Sequence, residues 1–191
     1  MTPNSAAGPI SPDQFFDAWH RVCSRHKEAL LAKWKNAGEF TSEIFYIERS
    51  VTAEIAGELG LEFYRNYYSL DAIFFFPSDR VYCAPAGQTW VQNIRIAFEH
   101  ENFFMSGLFQ ETSHLLITRA DLRVVVSYPD NDKDLASEKA KLTRILNESD
   151  LARGDAAFLL ITGRRIKSDA DIEWQAFTHQ ENEFRPLQIT S

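Results

Sequence analysis

Two glutamates, Glu99 and Glu101, stand two residues apart at the end of the apolar run at residues 94–98. Side chains alternate between the two faces of a β-strand, so this spacing predicts that both carboxylates lie on one face. Two negative charges this close are costly unless a cation joins them, and a divalent metal ion is the natural partner. The same pair at a strand end also occurs as simple solvated charge, so the motif alone leaves both interpretations open.

A third acidic residue, Asp71, lies near the start of another β-prone apolar run at residues 67–76. If this run pairs in one sheet with the strand that carries Glu99 and Glu101, three carboxylates converge. A further acid, Glu54, stands on a predicted helix upstream of these strands. Such a residue is usually a solubilising charge, but it would also suit a site at the junction of helix and sheet.

The elements that must position these acids follow from apolar periodicity. A helix is predicted to begin at Ser11 with Pro12 in its first turn and to stop at residues 36–38, and a second helix ends at Gly60. A helix between the third and fourth strands makes a crossover, which predicts that these two strands are parallel. The remaining predicted elements are the second helix at 42–59, strands at 61–68, 71–76, 94–99, 122–128 and 156–162, and helices at 108–116 and 133–146.

This order of elements and acids resembles the core of the PD-(D/E)xK restriction-endonuclease-like superfamily over about residues 43–162. In that family a short strand leads to an Asp, the next strand ends in D/E-x-K or occasionally E-x-E, and the following helix packs behind them. Asp71 matches the first acid, and Glu99 with Glu101 matches the second pair. The resemblance implies an α/β fold with a restriction-endonuclease-like core: a central mixed β-sheet flanked by helices, with an N-terminal helical extension.

The resemblance also implies an activity, namely a Mg²⁺-dependent nuclease that hydrolyses phosphodiester bonds, with DNA as the expected substrate and Mn²⁺ as a substitute metal. Asp71 and Glu99 would hold the metal, with Glu54 as the outer ligand that some members add from the preceding helix. Glu101 takes the place of the family's lysine and would orient or deprotonate the attacking water. His114, on the following helix, is a second candidate for the lysine's role, although a satisfied polar residue on a helix is the more common explanation of such a histidine.

The missing lysine keeps two other interpretations open. One is a nuclease-like fold that has lost its chemistry and acts as a protein- or nucleic-acid-binding subunit. The other is an unrelated acidic α/β protein whose carboxylates never meet. The aromatic segment at 103–105, or Trp19 and Trp34 on the first helix, would serve a protein partner or a homodimer in the former case, while core packing explains them as well.

Composition sets the outer bounds. The 191 residues, 45% of them hydrophobic, suit a flexible tail at 1–10 followed by one domain at 11–191. The net charge of −7 argues against non-specific coating of nucleic acid but does not exclude an enzyme that acts on it.

Cys23 and Cys83 have neither the number nor the spacing of a zinc site or a disulfide framework. No apolar stretch approaches the roughly 20 residues of a membrane span, so we expect a cytoplasmic protein without membrane partners. Residues from Lys167 onward carry no clear signal.

Overall fold

The computed structural model describes residues 8–85, 87–102, 108–150, 156–166 and 171–187. Within these ranges, a mixed seven-stranded β-sheet is flanked by six α-helices. This confirms the predicted α/β class with a central mixed sheet and flanking helices. Most of the predicted N-terminal tail, residues 1–7, and the aromatic segment at 103–105 lie outside the described residues.

Four helices precede the first strand and two more connect later strands. The helices are α1 (Pro12–Arg25), α2 (Lys27–Lys33), α3 (Ala37–Phe45), α4 (Val51–Glu58), α5 (Leu108–Ile117) and α6 (Asp132–Glu148). The strands are β1 (Glu62–Tyr67), β2 (Leu70–Phe75), β3 (Ile94–Glu101), β4 (Ala120–Ser127), β5 (Ala157–Arg165), β6 (Ile172–Gln180) and β7 (Glu183–Pro186). Among these six helices, none has the length and apolar character needed to cross a bilayer.

The strands lie in the sheet in the order in which they occur in the chain. β1, β2 and β3 form an antiparallel meander, and β5, β6 and β7 form another. Between them, β3 pairs with β4 and β4 with β5 in parallel, and α5 and α6 make the two crossovers. The predicted parallel pairing of the third and fourth strands is confirmed.

Each face of the sheet carries its own core. On one face, α1 to α4 cover Phe74, Phe98 and their neighbours, and on the other, α5 and α6 cover Ile73 and Ala97. Phe98 lies at the centre of the first core, where its ring contacts four aromatic rings at centroid distances of 5.8 to 6.1 Å. One of them belongs to Trp19, which is fully buried. Trp19 therefore packs in the core instead of presenting a surface to a partner.

The N-terminal helices are shorter and more numerous than the sequence pattern predicts. The first helix ends at Arg25, and Asn36, predicted as a stop, instead caps the start of α3 by accepting a hydrogen bond from the Glu39 N–H at 3.2 Å. The single helix predicted at 42–59 is also wrong, because Ser50 begins a new helix by capping α4. Asn and Ser favour helix starts as strongly as they favour turns, so their side-chain hydrogen bonds decided these boundaries.

β5 continues through Gly163, where the sequence predicts that the strand stops. A Cβ atom on Gly163 would lie 2.5 Å from Cζ3 of Trp174 and 2.9 Å from Cε1 of Tyr128. The glycine therefore lets two aromatic rings close over the strand. β6, which pairs with β5 and carries Trp174, and the following β7 form the described part of the C-terminal segment, for which the sequence predicts no element.

Replacing Gly163 with Ala is expected to lower the free energy of unfolding by about 2 kcal/mol, because a methyl group overpacks this contact. Gly57→Ala is the matched control. A Cβ at Gly57, in α4, meets nothing within 4 Å, so this change should raise stability by roughly 0.5 to 1 kcal/mol. Urea unfolding of both variants measures the two values, and equal stability changes would contradict the assigned contact.

Candidate metal centre

Asp71 and Glu99 are brought together by the pairing of β2 with β3. Ala72 lies opposite Phe98 in this antiparallel pair, which sets Asp71 beside the end of β3. The main-chain N–H of Asp71 donates to Oε2 of Glu99 at 3.1 Å, and the main-chain N–H of His100 donates to Oδ2 of Asp71 at 2.9 Å. These two cross-strand hydrogen bonds hold both carboxylates in place on the face of the sheet that α5 covers.

Helix α5 adds two side chains to this cluster. Nδ1 of His114 lies 3.2 Å from Oε1 of Glu99 and 3.4 Å from Oε2 of Glu111. Glu111 and His114 are three residues apart, so they project from one side of the helix. The potential ligand atoms of Glu99, Glu111 and His114 all lie within 4.8 Å of one another. This group has the donors and the size to hold one metal ion.

Burial and mutual repulsion make negative charge unfavourable on the carboxylates of the cluster. Glu99 is fully buried, and burial together with the charges of Asp71 and Glu111 raises its pKa to about 10. Burial also raises the pKa of Asp71, the charge of Glu111 adds to the effect, and the hydrogen bond from the His100 N–H opposes it. Without a cation, the cluster therefore holds a proton at neutral pH, and a bound metal would displace that proton.

In the part of the chain that the structure describes, no Lys or Arg forms an ion pair with Asp71, Glu99 or Glu111. Arg95, on the same strand as Glu99, is instead engaged by Asp79 at 2.7 Å and by Asp121 at 3.0 Å. His114 is thus the basic side chain that contacts the cluster within the described residues.

No protein-family model, curated protein or solved structure matches this chain. The chemistry of the centre is therefore argued from its geometry.

Two of the site residues predicted from the sequence, Glu101 and Glu54, lie outside the Glu99–Glu111–His114 group. Glu101 ends β3, its main-chain carbonyl accepts a hydrogen bond from Oγ of Ser127 at 3.0 Å, and it is not a member of the Glu99–Glu111–His114 group. Its predicted role in orienting water stays a prediction.

Glu54 is not brought to the cluster. It lies on α4, in the helical layer on the opposite face of the sheet, where its carboxylate contacts Arg25 at 3.0 Å, Arg49 at 2.9 Å and Nε2 of His26 at 3.5 Å. Burial acts to raise the pKa of Glu54, but the guanidinium groups of Arg25 and Arg49 outweigh it, so the pKa is lowered. Glu54 links the N-terminal helices, and the sheet separates it from Glu99.

Glu111 is the member of the cluster that the sequence prediction did not select. The available signal was its spacing of three residues from His114 on a helix that follows an acidic strand end. That spacing is common on solvated helix faces, so it indicates a site only once the structure shows that α5 packs against β3.

Proposed function

We propose that this protein is a metal-dependent nuclease that hydrolyses phosphodiester bonds, with DNA as the expected substrate. The observation that carries the proposal is the burial of Glu99 against Asp71, Glu111 and His114 with no Lys or Arg paired to them in the described structure. Buried carboxylates are normally paired with a cation or coordinated to a metal, because an unpaired buried charge is costly. A divalent cation would satisfy this cluster.

The donor set indicates which metals to test. Glu99 and Glu111 offer carboxylate oxygens, which Mg²⁺ prefers, and His114 offers an imidazole nitrogen, which Mn²⁺ accepts more readily than Mg²⁺ does. We therefore expect Mn²⁺ to bind more tightly than Mg²⁺. When bound, such a metal would lower the pKa of a coordinated water and polarise a phosphodiester oxygen.

The side chains of the protein have definable roles in this proposal. The main-chain N–H groups of Asp71 and His100 orient the carboxylates of Glu99 and Asp71, respectively. His114 would complete the ligand set from α5. Glu101, half-buried at the end of the same strand, would orient the attacking water or accept a proton from it. Support for the substrate class comes from the order α4-β1-β2-β3-α5-β4, which agrees with the order in the resemblance to the nuclease superfamily.

The alternative function, a nuclease-like fold that acts as a binding subunit, is favoured by a different observation. Large aromatic side chains are exposed beside the β1–β2 hairpin, with Tyr68 at 78% exposure and its ring 6.4 Å from that of Trp90. Exposed aromatic groups are typical of surfaces that meet a partner. Under this alternative the protein would bind its partner without metal and would not cleave DNA.

Calorimetric titration with Mg²⁺ and Mn²⁺, combined with cleavage assays on plasmid and single-stranded DNA, tests the proposal. We expect Glu111→Gln to weaken Mn²⁺ binding by at least roughly tenfold, since it replaces a charged carboxylate ligand with a neutral amide at a half-buried position. Glu28→Gln, on exposed α2, is the matched control and should leave binding unchanged. Absence of metal binding at millimolar concentration in the wild-type protein would contradict the proposal and favour the binding subunit.

A further inference from the structure

A cavity of about 320 Å³ opens at the carboxyl ends of β3, β4 and β5. Its walls include Asn102 and Tyr128, which directly follow β3 and β4, and Arg165, the last residue of β5. It lies on the face covered by α1 to α4, so the sheet separates it from Glu99. Clefts at the carboxyl ends of strands are frequent ligand sites in α/β proteins.

One wall of the cavity is aromatic. The rings of Trp34, Phe40 and Tyr128 contact each other edge to face, at centroid distances of 5.2 to 5.4 Å. The hydroxyl of Tyr128 lies 2.7 Å from Nε2 of His100, which fixes the tyrosine from inside the core. Trp34 and Tyr128 keep part of their surface accessible. The wall is therefore a rigid surface on which a planar ring can pack.

The rest of the cavity is mainly cationic, in a protein whose net charge is −7. Lys35, Arg164 and Arg165 line it, and Asp130 is the acidic residue among its described lining residues. Arg164 already contacts Glu173 at 3.0 Å and Asp132, so its charge is largely offset. Lys35 is exposed and forms no ion pair with any described residue. An anion next to Trp34 would thus meet the ammonium group of Lys35.

We propose that this cavity binds a nucleoside monophosphate. The base would pack on Trp34 and Tyr128, the phosphate would bind Lys35, and Asp130 would accept hydrogen bonds from the ribose hydroxyls. The volume is near the lower limit of small-molecule sites, about 300 to 1,000 Å³, which suits one base and one phosphate and excludes a duplex. This inference does not rest on the proposed nuclease activity, because it uses other residues on the other face of the sheet.

Calorimetric titration of the full chain with AMP, GMP, CMP and UMP tests the inference, with adenosine and inorganic phosphate as partial ligands. At least one monophosphate is expected to bind about tenfold or more tightly than either partial ligand, since it makes both the stacking and the charge contacts. Lys35→Gln should weaken monophosphate binding by about tenfold and leave adenosine binding unchanged. Trp34→Leu should weaken the binding of both.

Arg119→Gln is the matched control, because Arg119 is an exposed cation at the opposite end of β4. It should change none of the affinities. Three results would overturn the inference: no monophosphate binding at millimolar concentration, monophosphate and inorganic phosphate binding equally, or Lys35→Gln behaving like Arg119→Gln. Lys35 is exposed, so its variant remains informative even where Trp34→Leu fails to fold.

Discussion

Glu99→Gln is expected to stabilise the metal-free protein and at the same time to abolish metal binding. In the folded protein, burial and the charges of Asp71 and Glu111 raise the pKa of Glu99 to about 10, against about 4.3 in the unfolded chain. Between these two values the folded state holds a proton that the unfolded state releases, so this residue makes the wild-type protein less stable as pH rises. Gln mimics the protonated acid and does not titrate, so the variant lacks this pH-dependent loss of stability.

At about 1.4 kcal/mol for each pH unit above about 4.3, the expected gain for the metal-free variant is roughly 3 to 4 kcal/mol at pH 7, and it should vanish near pH 4. Urea unfolding across this pH range, with a chelator present, measures it. Metal at about 100 times its dissociation constant should then stabilise the wild type by about 2.7 kcal/mol and leave Glu99→Gln unchanged. Glu28→Gln serves again as the exposed control. If the variant were less stable than the wild type at pH 8, the buried acid cluster would be wrongly assigned.

Phe98→Ala is expected to have the largest effect on stability, a loss of about 3 to 5 kcal/mol. The side chain is fully buried and contacts the rings of Phe15, Trp19, Phe45 and Phe74. Its removal leaves a cavity between the sheet and the helices α1 and α3. A loss of this size approaches the whole stability of many domains, so the variant should be partly unfolded at 37 °C.

Phe98→Leu keeps most of the volume and should cost less than about half as much, which makes it the variant to measure by urea unfolding. Tyr82→Ala is the aromatic control, because Tyr82 is 94% exposed and its removal should change stability by no more than about 0.5 kcal/mol. Equal losses for Phe98→Leu and Tyr82→Ala would contradict the placement of Phe98 at the centre of the aromatic core.

The strands that position the candidate centre could be predicted because their apolar period is strong. β2, β3 and β4 lie within about two residues of their predicted bounds, and alternation on β3 places Phe98 and Glu99 on opposite faces, as the structure shows. The helical layer could not be predicted in the same way. The sequence predicts Asn36 as a helix stop and Ser50 as a residue inside a continuous helix, and only their side-chain hydrogen bonds in the structure show that both begin new helices.

The residues of the candidate centre were harder to predict than the positions of the strands. Asp71 and Glu99 follow from strand pairing, but Glu111 depends on how α5 is rotated against β3, and no pattern in one sequence reports that rotation. Glu54 contacts Arg49, in the turn before α4, and Arg25, on α1, and the contact with the distant Arg25 likewise depends on how two helices pack. β6 and β7 escaped prediction because they alternate weakly and mix charged with aromatic side chains.

The chain-order arrangement of the seven strands has a kinetic consequence. Every strand pairs with the strands nearest to it in sequence, so no strand has to enter between two that have already paired. Three antiparallel pairs, β1 with β2, β5 with β6 and β6 with β7, close through short connections, whereas β3 follows the long segment at 76–93 and the two parallel pairs must wait for α5 and α6 to cross over. Because local contacts form faster than distant ones, we expect the sheet to grow from these three pairs, with the parallel centre as the slowest step of folding.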